Sequence, residues 1–355
     1  MGNCVRTSEK LTAEIVPHDG AQAAYPTVRL YGSPKSVLAA YIRFALIHRA
    51  VSLDFVPSSR RNTLAGELAR ADDSDSESPV TLQVGSDTIS GTRETLLRFI
   101  DARFPNPPLT RTAEAAAAAG AATSAAGGGG KGQDEMTQSM VRLTRLQHKS
   151  MLWHLERMVR WADDLSTRGG KKAADPTMGS PVMEAKKFAK SYSQLLELML
   201  EHAQMEERVL FPIFDMADRG LSKAAKEEHA RDLPLMNGIK EVIKSVGVLD
   251  CGSPGYREAL STLSSRLKSL QGQCKQHFRE EEVELLPLME AVEMSREEEQ
   301  SAVEQCFELM QATHNRLFKF FLEGLPPHDA MQYLDLIRSC RNREKMESML
   351  QMIVQ

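Results

Sequence analysis

Apolar positions recur along this chain in two rhythms. Between residues 27 and 104 they come in short runs. Thr27 to Tyr31, Val51 to Val56, Val80 to Val84 and Thr88 to Ser90 alternate or are β-branched, and turn residues bound them (Gly32-Ser33-Pro34 and Gly85-Ser86-Asp87). These runs predict strands, the last two forming a hairpin. Ser36 to Arg49 places Val37, Leu38, Tyr41, Ile42, Ala45 and Leu46 on one helical face, and Arg93 to Phe104 closes the segment with a second helix. The expected order is β-α-β, then β-β-α, with an acidic, Ser-rich loop at residues 70–78.

From residue 138 the spacing becomes that of helices. Long amphipathic stretches run from Gln138 to Leu165, Glu184 to Pro212, Lys223 to Val246 and Tyr256 to Ala291, with Pro287 expected to kink the last of them. Polar loops at 166–182 and 247–255, and a break at 217–222, separate them. Four long helices joined this way predict an antiparallel bundle over residues 136–294. Helices are expected at Arg296 to Glu323, Asp329 to Cys340 and Arg343 to Ile353, a C-terminal extension over 295–355. Its Phe307, Leu317, Phe318, Phe320 and Phe321 must bury against the bundle or a partner. Residues 105–135 read as a flexible linker, opening on Pro107-Pro108 and turning Ala-rich, then Gly-rich. Residues 1–26 form a polar tail. The fold class is therefore mainly α, a four-helix bundle preceded by a small α/β domain.

Composition narrows the function. The 355 residues carry a formal net charge of -4, which argues against a nucleic-acid partner. Five scattered cysteines without a Cys-x-x-Cys imply a reducing, cytoplasmic compartment and neither a disulfide framework nor a zinc finger. No run reaches the roughly 18 apolar residues of a membrane span. The start, Met1-Gly2-Asn3-Cys4, resembles a doubly acylated N-terminus. Gly2 would take myristate and Cys4 palmitate, giving association with the cytoplasmic face of the plasma membrane.

The chemistry sits in two matched stretches. His202-Ala203-Gln204-Met205-Glu206-Glu207 leads to Pro212, and His277-Phe278-Arg279-Glu280-Glu281-Glu282 leads to Pro287. Positions four apart share a helical face, so His202 lies over Glu206 and His277 over Glu281. A single such pair is commonly a solvated surface pair; two copies in one context point to a metal. His229 on the third helix and His148 or His154 on the first bring an imidazole to every helix. His148 and His154 lie about 240° apart around their helix and cannot both face one centre. His148 continues the stripe Leu152, Leu155, Val159 and is preferred. A mixed imidazole and carboxylate set suits iron, manganese or zinc. Glu207, Glu228 and Glu282 read either as surface carboxylates or as groups that orient the imidazoles.

On these motifs residues 143–290 resemble the hemerythrin-like, or HHE cation-binding, domain family. The resemblance implies a non-heme di-iron cofactor held by His148, His202, Glu206, His229, His277 and Glu281, with the two glutamates bridging. It also implies binding or sensing of iron, or of a small diatomic ligand such as O2 or NO, without catalysis beyond a weak ferroxidase activity. Leu233 stands where oxygen carriers of the family have a further helix-three His, which implies a more open site.

Leu30-Tyr31-Gly32-Ser33-Pro34, Ser78-Pro79-Val80 and Gly91-Thr92-Arg93-Glu94 resemble the thioredoxin-like N-terminal domain of glutathione transferases. That resemblance implies glutathione bound at Ser33, Pro79, Val80 and Thr92, with Ser33 or Ser36 as the activating hydroxyl. Gly91-Thr92 replaces the usual Glu-Ser pair, and no electrophile-binding helical domain follows directly. The alternatives to an iron protein are thus a glutathione-dependent activity or a membrane-proximal adaptor.

Overall fold

The computed structural model describes residues 27–57 (apart from 35, 48 and 50), 80–106, 109, 138–172, 177, 179–292 and 294–351. The chain forms two compact units, one up to about residue 112 and one beyond it.

The first unit follows the expected order: β1 (Val28–Gly32), α1 (Val37–Ile47), β2 (Leu53–Pro57), β3 (Thr81–Val84), β4 (Asp87–Ser90) and α2 (Arg93–Arg103). The sheet order is β2-β1-β3-β4. β1 and β2 are parallel, and α1 supplies the crossover that a parallel pair requires. β3 runs antiparallel to both β1 and β4, with Leu30 opposite Leu82. Val28, Leu30, Leu82 and Val84 bury fully with Ile42 and Leu46 of α1 and Leu96 and Ile100 of α2. Beyond α2, Leu109 is buried and its N–H bonds Asp101 Oδ1 at 2.9 Å, so ordered packing continues past residue 104. The tail before residue 27 and most of the stretch read as linker lie outside the described residues.

The second unit is built on α3 (Ser139–Arg168), α4 (Pro181–Met205), α5 (Phe211–Ala217), α6 (Lys223–Val248) and α7 (Pro254–Glu280). The four long helices close a ring: α3 packs on α4, α4 on α6, α6 on α7 and α7 on α3. Ser180 and Ser253 cap α4 and α7, each followed by Pro at the first helical position, where its missing N–H costs nothing. Gly169 ends α3 with φ 56°, a left-handed conformation that favours glycine.

The helices carrying His-x-x-x-Glu do not continue as the sequence predicts. At Glu206–Leu210 and Glu281–Leu285 each widens into a π-helical turn, where the N–H of Phe211 reaches back to Glu206 O and that of Leu286 to Glu281 O. The cause is proline. Pro212 and Pro287 cannot donate to the carbonyl four residues back, and their rings crowd it. Widening the turn removes that clash and leaves each proline as the second residue of a new element, α5 and a 3₁₀ stretch at Leu286–Ala291. The expected kink at Pro287 is thus a change of helix type one turn earlier.

The predicted helix from Arg296 to Glu323 is three: α8 (Arg296–Leu309), α9 (Gln311–Asn315) and α10 (Phe318–Glu323). Glu201 on α4 accepts from Ala312 N, Thr313 N and Thr313 Oγ1 at 2.8, 2.8 and 2.6 Å, offering donors at the break a partner outside the helix. α11 (Pro327–Arg338) and α12 (Arg343–Gln351) follow. α8, α10 and α11 pack on α3, and α8 and α9 on α4, so the extension covers the bundle. Contact is close at Gly324, where a Cβ would meet Ser150 Oγ at 2.5 Å, while Ser150 Oγ donates to Phe321 O at 2.7 Å. No described helix is long and apolar enough to cross a membrane.

Candidate metal centre

His148 comes from mid-α3, His202 and His277 from the last turns of α4 and α7, and His229 from α6; Glu206 and Glu281 open the two π turns. The structure gathers all six. His148, His202, Glu206 and Glu281 form one group and Glu206, His229, His277 and Glu281 a second, the ligand atoms of each lying within 4.8 Å of one another. The glutamates are common to both, and their oxygens divide between them. Glu206 Oε1 is 3.0 Å from His202 Nε2 and 3.5 Å from His148 Nε2, whereas Oε2 is 3.3 Å from His229 Nε2. Glu281 Oε2 is 3.3 Å from His148 Nε2 and Oε1 3.6 Å from His277 Nε2. Metal bonds of about 2.1 Å at tetrahedral or octahedral angles separate ligand atoms by about 3.0–3.4 Å.

Each imidazole is held from behind. His148 Nδ1 meets Glu282 at 2.9 Å, His202 Nδ1 meets Gln147 Oε1 at 2.7 Å, His229 Nδ1 meets Glu207 at 3.0 Å and His277 Nδ1 meets Glu228 at 2.7 Å. These oxygens only accept, so in the neutral rings the proton sits on Nδ1 and the Nε2 lone pair faces inward. Two consequences follow. His229 Nε2 and His277 Nε2 face each other at 3.1 Å, a repulsive approach of lone pairs unless a proton or a cation intervenes. Nε2 of His148 and His202 and both oxygens of Glu206 and Glu281 are buried without a hydrogen-bond partner. Buried polar atoms left this way are costly, and a cation would satisfy all of them. The donor set therefore fits a metal.

The electrostatics agree. Burial opposes the His148 imidazolium, but Glu206, Glu281 and Glu282 together outweigh it and raise its pKa well above normal. Burial likewise opposes His229, and contact with Glu206 and Glu207 still lifts it to about 9. His202 goes down, because burial exceeds what Glu206 returns. Burial works against Glu206, yet His202, His148 and His229 hold it well below the carboxylate range. In the metal-free protein, protons occupy part of the positive charge that this pocket favours.

His154 does not take part; its Nε2 meets Phe320 O at 2.7 Å and its ring stacks on Phe320. Gln147 was not foreseen. It sits about 100° around α3 from His148, and its partner His202 is 55 residues away, so spacing could not mark it. A cavity of about 240 Å3 adjoins the centre, lined by His202, His229, His277 and Leu233 among others. In the first unit, Ser33, Val80 and Thr92 lie towards one end of the sheet, where β1 ends and β3 begins. The Thr92 hydroxyl is engaged as the cap of α2, accepting from Thr95 N. Pro79, Gly2 and Cys4 lie outside the described residues.

Residues 139–289 match the family model of the hemerythrin HHE cation binding domain. The hemerythrin-like segment spans the four long helices and all six gathered residues, and it indicates cation binding. It ends before α8, so the helices capping the bundle lie outside the match. No curated protein and no solved structure matches the chain.

Proposed function

We propose that the hemerythrin-like bundle binds two non-heme iron ions and works in iron homeostasis by binding or sensing iron and a small diatomic ligand, O2 or NO. His148 and His202 would hold one ion, His229 and His277 the other, with Glu206 and Glu281 spanning both. The observation that carries this reading is the set of inward-facing Nε2 and carboxylate oxygen atoms buried without a partner. Two imidazoles and two shared carboxylates per ion, with no thiolate, suit iron and leave coordination positions open. Bound iron supplies reversible one-electron chemistry and an attachment point for a diatomic molecule.

The chain's own groups do the rest. Glu207, Glu228, Glu282 and Gln147 hold the rings so that each offers Nε2. Leu233, one turn after His229, leaves that side without a further imidazole, and the adjoining cavity gives a diatomic molecule room. Because the unfolded chain has no such site, bound metal stabilises the folded bundle.

Metal analysis after anaerobic loading with ferrous iron and desalting tests the proposal. Two irons per chain are expected, with new near-ultraviolet absorption after exposure to air. Glu206→Gln and Glu281→Gln should each reduce binding of both ions. Protein that retains no iron, or retains only zinc, would overturn it.

A further inference from the structure

Behind His202, a line of buried polar groups runs from the metal centre into the C-terminal helices. His202 Nδ1 donates to Gln147 Oε1 at 2.7 Å. The Gln147 amide donates to Met310 Sδ at 2.9 Å. Tyr333 Oη lies 2.9 Å from His314 Nε2, and His314 Nδ1 lies 2.7 Å from Met310 O. Gln147 and Tyr333 are fully buried, and His314 is 2% exposed.

The last contact fixes the direction of the others. A carbonyl only accepts, so His314 carries its proton on Nδ1 and offers the Nε2 lone pair. Tyr333 O–H therefore donates to His314 Nε2. Burial, only partly offset by the Met310 carbonyl, pushes the His314 pKa down to about 4, which keeps the ring neutral and able to accept a proton. Phe307, Phe318 and Phe321 surround the phenol, with ring centroids 6.0, 6.1 and 4.4 Å from that of Tyr333. A buried tyrosine needs one acceptor to be satisfied. This one has a neutral base, an apolar sheath and a connection, through His314, Met310 and Gln147, to a residue placed to hold metal.

We propose that Tyr333 is a redox-active residue that is oxidised to a neutral phenoxyl radical while its proton moves to His314. The proposal rests on the iron-binding reading above. The Tyr333 O–H bond breaks, an N–H bond forms at His314 Nε2, and one electron leaves along the Gln147–His202 side. The oxidant is hydrogen peroxide at the metal site. Each molecule takes one electron from Tyr333, one from a ferrous ion and two protons from solvent, and leaves as two waters. On reduction, the proton returns, because burial disfavours the imidazolium. The phenylalanine walls exclude water and reductants, so the oxidising equivalent is stored.

The test is electron paramagnetic resonance of the full chain, loaded with ferrous iron, checked for iron content, mixed with hydrogen peroxide and frozen. An organic radical at the free-electron position is expected, with a hyperfine pattern that narrows when the protein carries ring-deuterated tyrosine. Tyr333→Phe should abolish the signal while iron content and far-ultraviolet circular dichroism stay unchanged. His314→Gln, which retains the phenol but offers a poor base, should lower the yield several-fold. Iron-loaded protein without a radical, or a radical that survives Tyr333→Phe, would overturn this proposal alone. Failure to load iron would overturn the iron-binding reading, and this proposal with it.

Discussion

Glu282 and Glu228 touch no metal position, yet each fixes the ring behind which it stands, and their variants separate orientation from ligation. Glu282→Ala or Glu228→Ala is expected to weaken iron binding by about 10- to 100-fold, with two ions still bound at saturation. Isothermal titration at several iron concentrations would distinguish that from the lost stoichiometry expected of Glu206→Gln. The titrating groups set the pH dependence of the metal-free protein. His229 rises to about 9 in the folded state, and His148 also lies above its unfolded value. The His229 contribution is fully present below about pH 6.5 and is lost as pH rises through about 9, a change of roughly 3 kcal/mol, and that of His148 is lost as pH rises through its own raised value. Glu206 is depressed, so its contribution is present above about pH 4.5 and lost as pH falls through its folded value. His202 and His314 are lowered instead, so burial of their neutral rings costs stability as pH falls below about 6.5. Denaturant unfolding of metal-free protein should therefore show a stability maximum at about pH 6.5, and iron-loaded protein should lose the alkaline decline. At this scale His202, Glu206, His277 and Glu281 were legible because His and Glu four apart share a helix face, while His148 and His229 rested on an apolar stripe and on the family resemblance. Gln147 and the Tyr333–His314 pair were not, because their partners are distant in sequence and only packing brings them together.

Among the elements, the α4 and α7 π turns place both glutamates where two ions could share them, and prolines six residues further on cause them. Pro212 and Pro287 were visible in the sequence, but Pro212 was read as the end of its helix and Pro287 as a kink. A proline fixes which hydrogen bond is lost, not how the chain replaces it. The break at Met310 was hidden for a related reason: Ala312 and Thr313, which open α9, find their acceptor in Glu201, more than a hundred residues earlier. Glu201→Ala strands those donors and should cost about 1–3 kcal/mol, read as a lower melting temperature with α8 and α9 the first to exchange amide hydrogens. Gly324→Ala should also destabilise, because its Cβ would overlap Ser150. A variant as stable as the parent would contradict the close approach of α10 to α3.

Taken whole, the chain separates an α/β unit from a helical unit that carries the candidate metal centre. The period change near residue 138 marks where helical spacing begins, and the four long helices followed from stripe length and loop spacing. The sequence left open whether the extension's phenylalanines cover the bundle or a partner, since apolar residues report burial but not against what. Calorimetry of iron-loaded protein should show the helical unit melting lower once iron is chelated, with the α/β unit unchanged. A chelator that moved neither transition would contradict metal-linked stability. The central claim, two ions bridged by Glu206 and Glu281, is tested most directly by X-ray absorption at the iron edge. The account predicts nitrogen and oxygen neighbours with imidazole scattering and an iron–iron vector of about 3.5–4 Å, as in two-metal sites. A spectrum with no metal–metal vector, or with sulfur ligands, would contradict it.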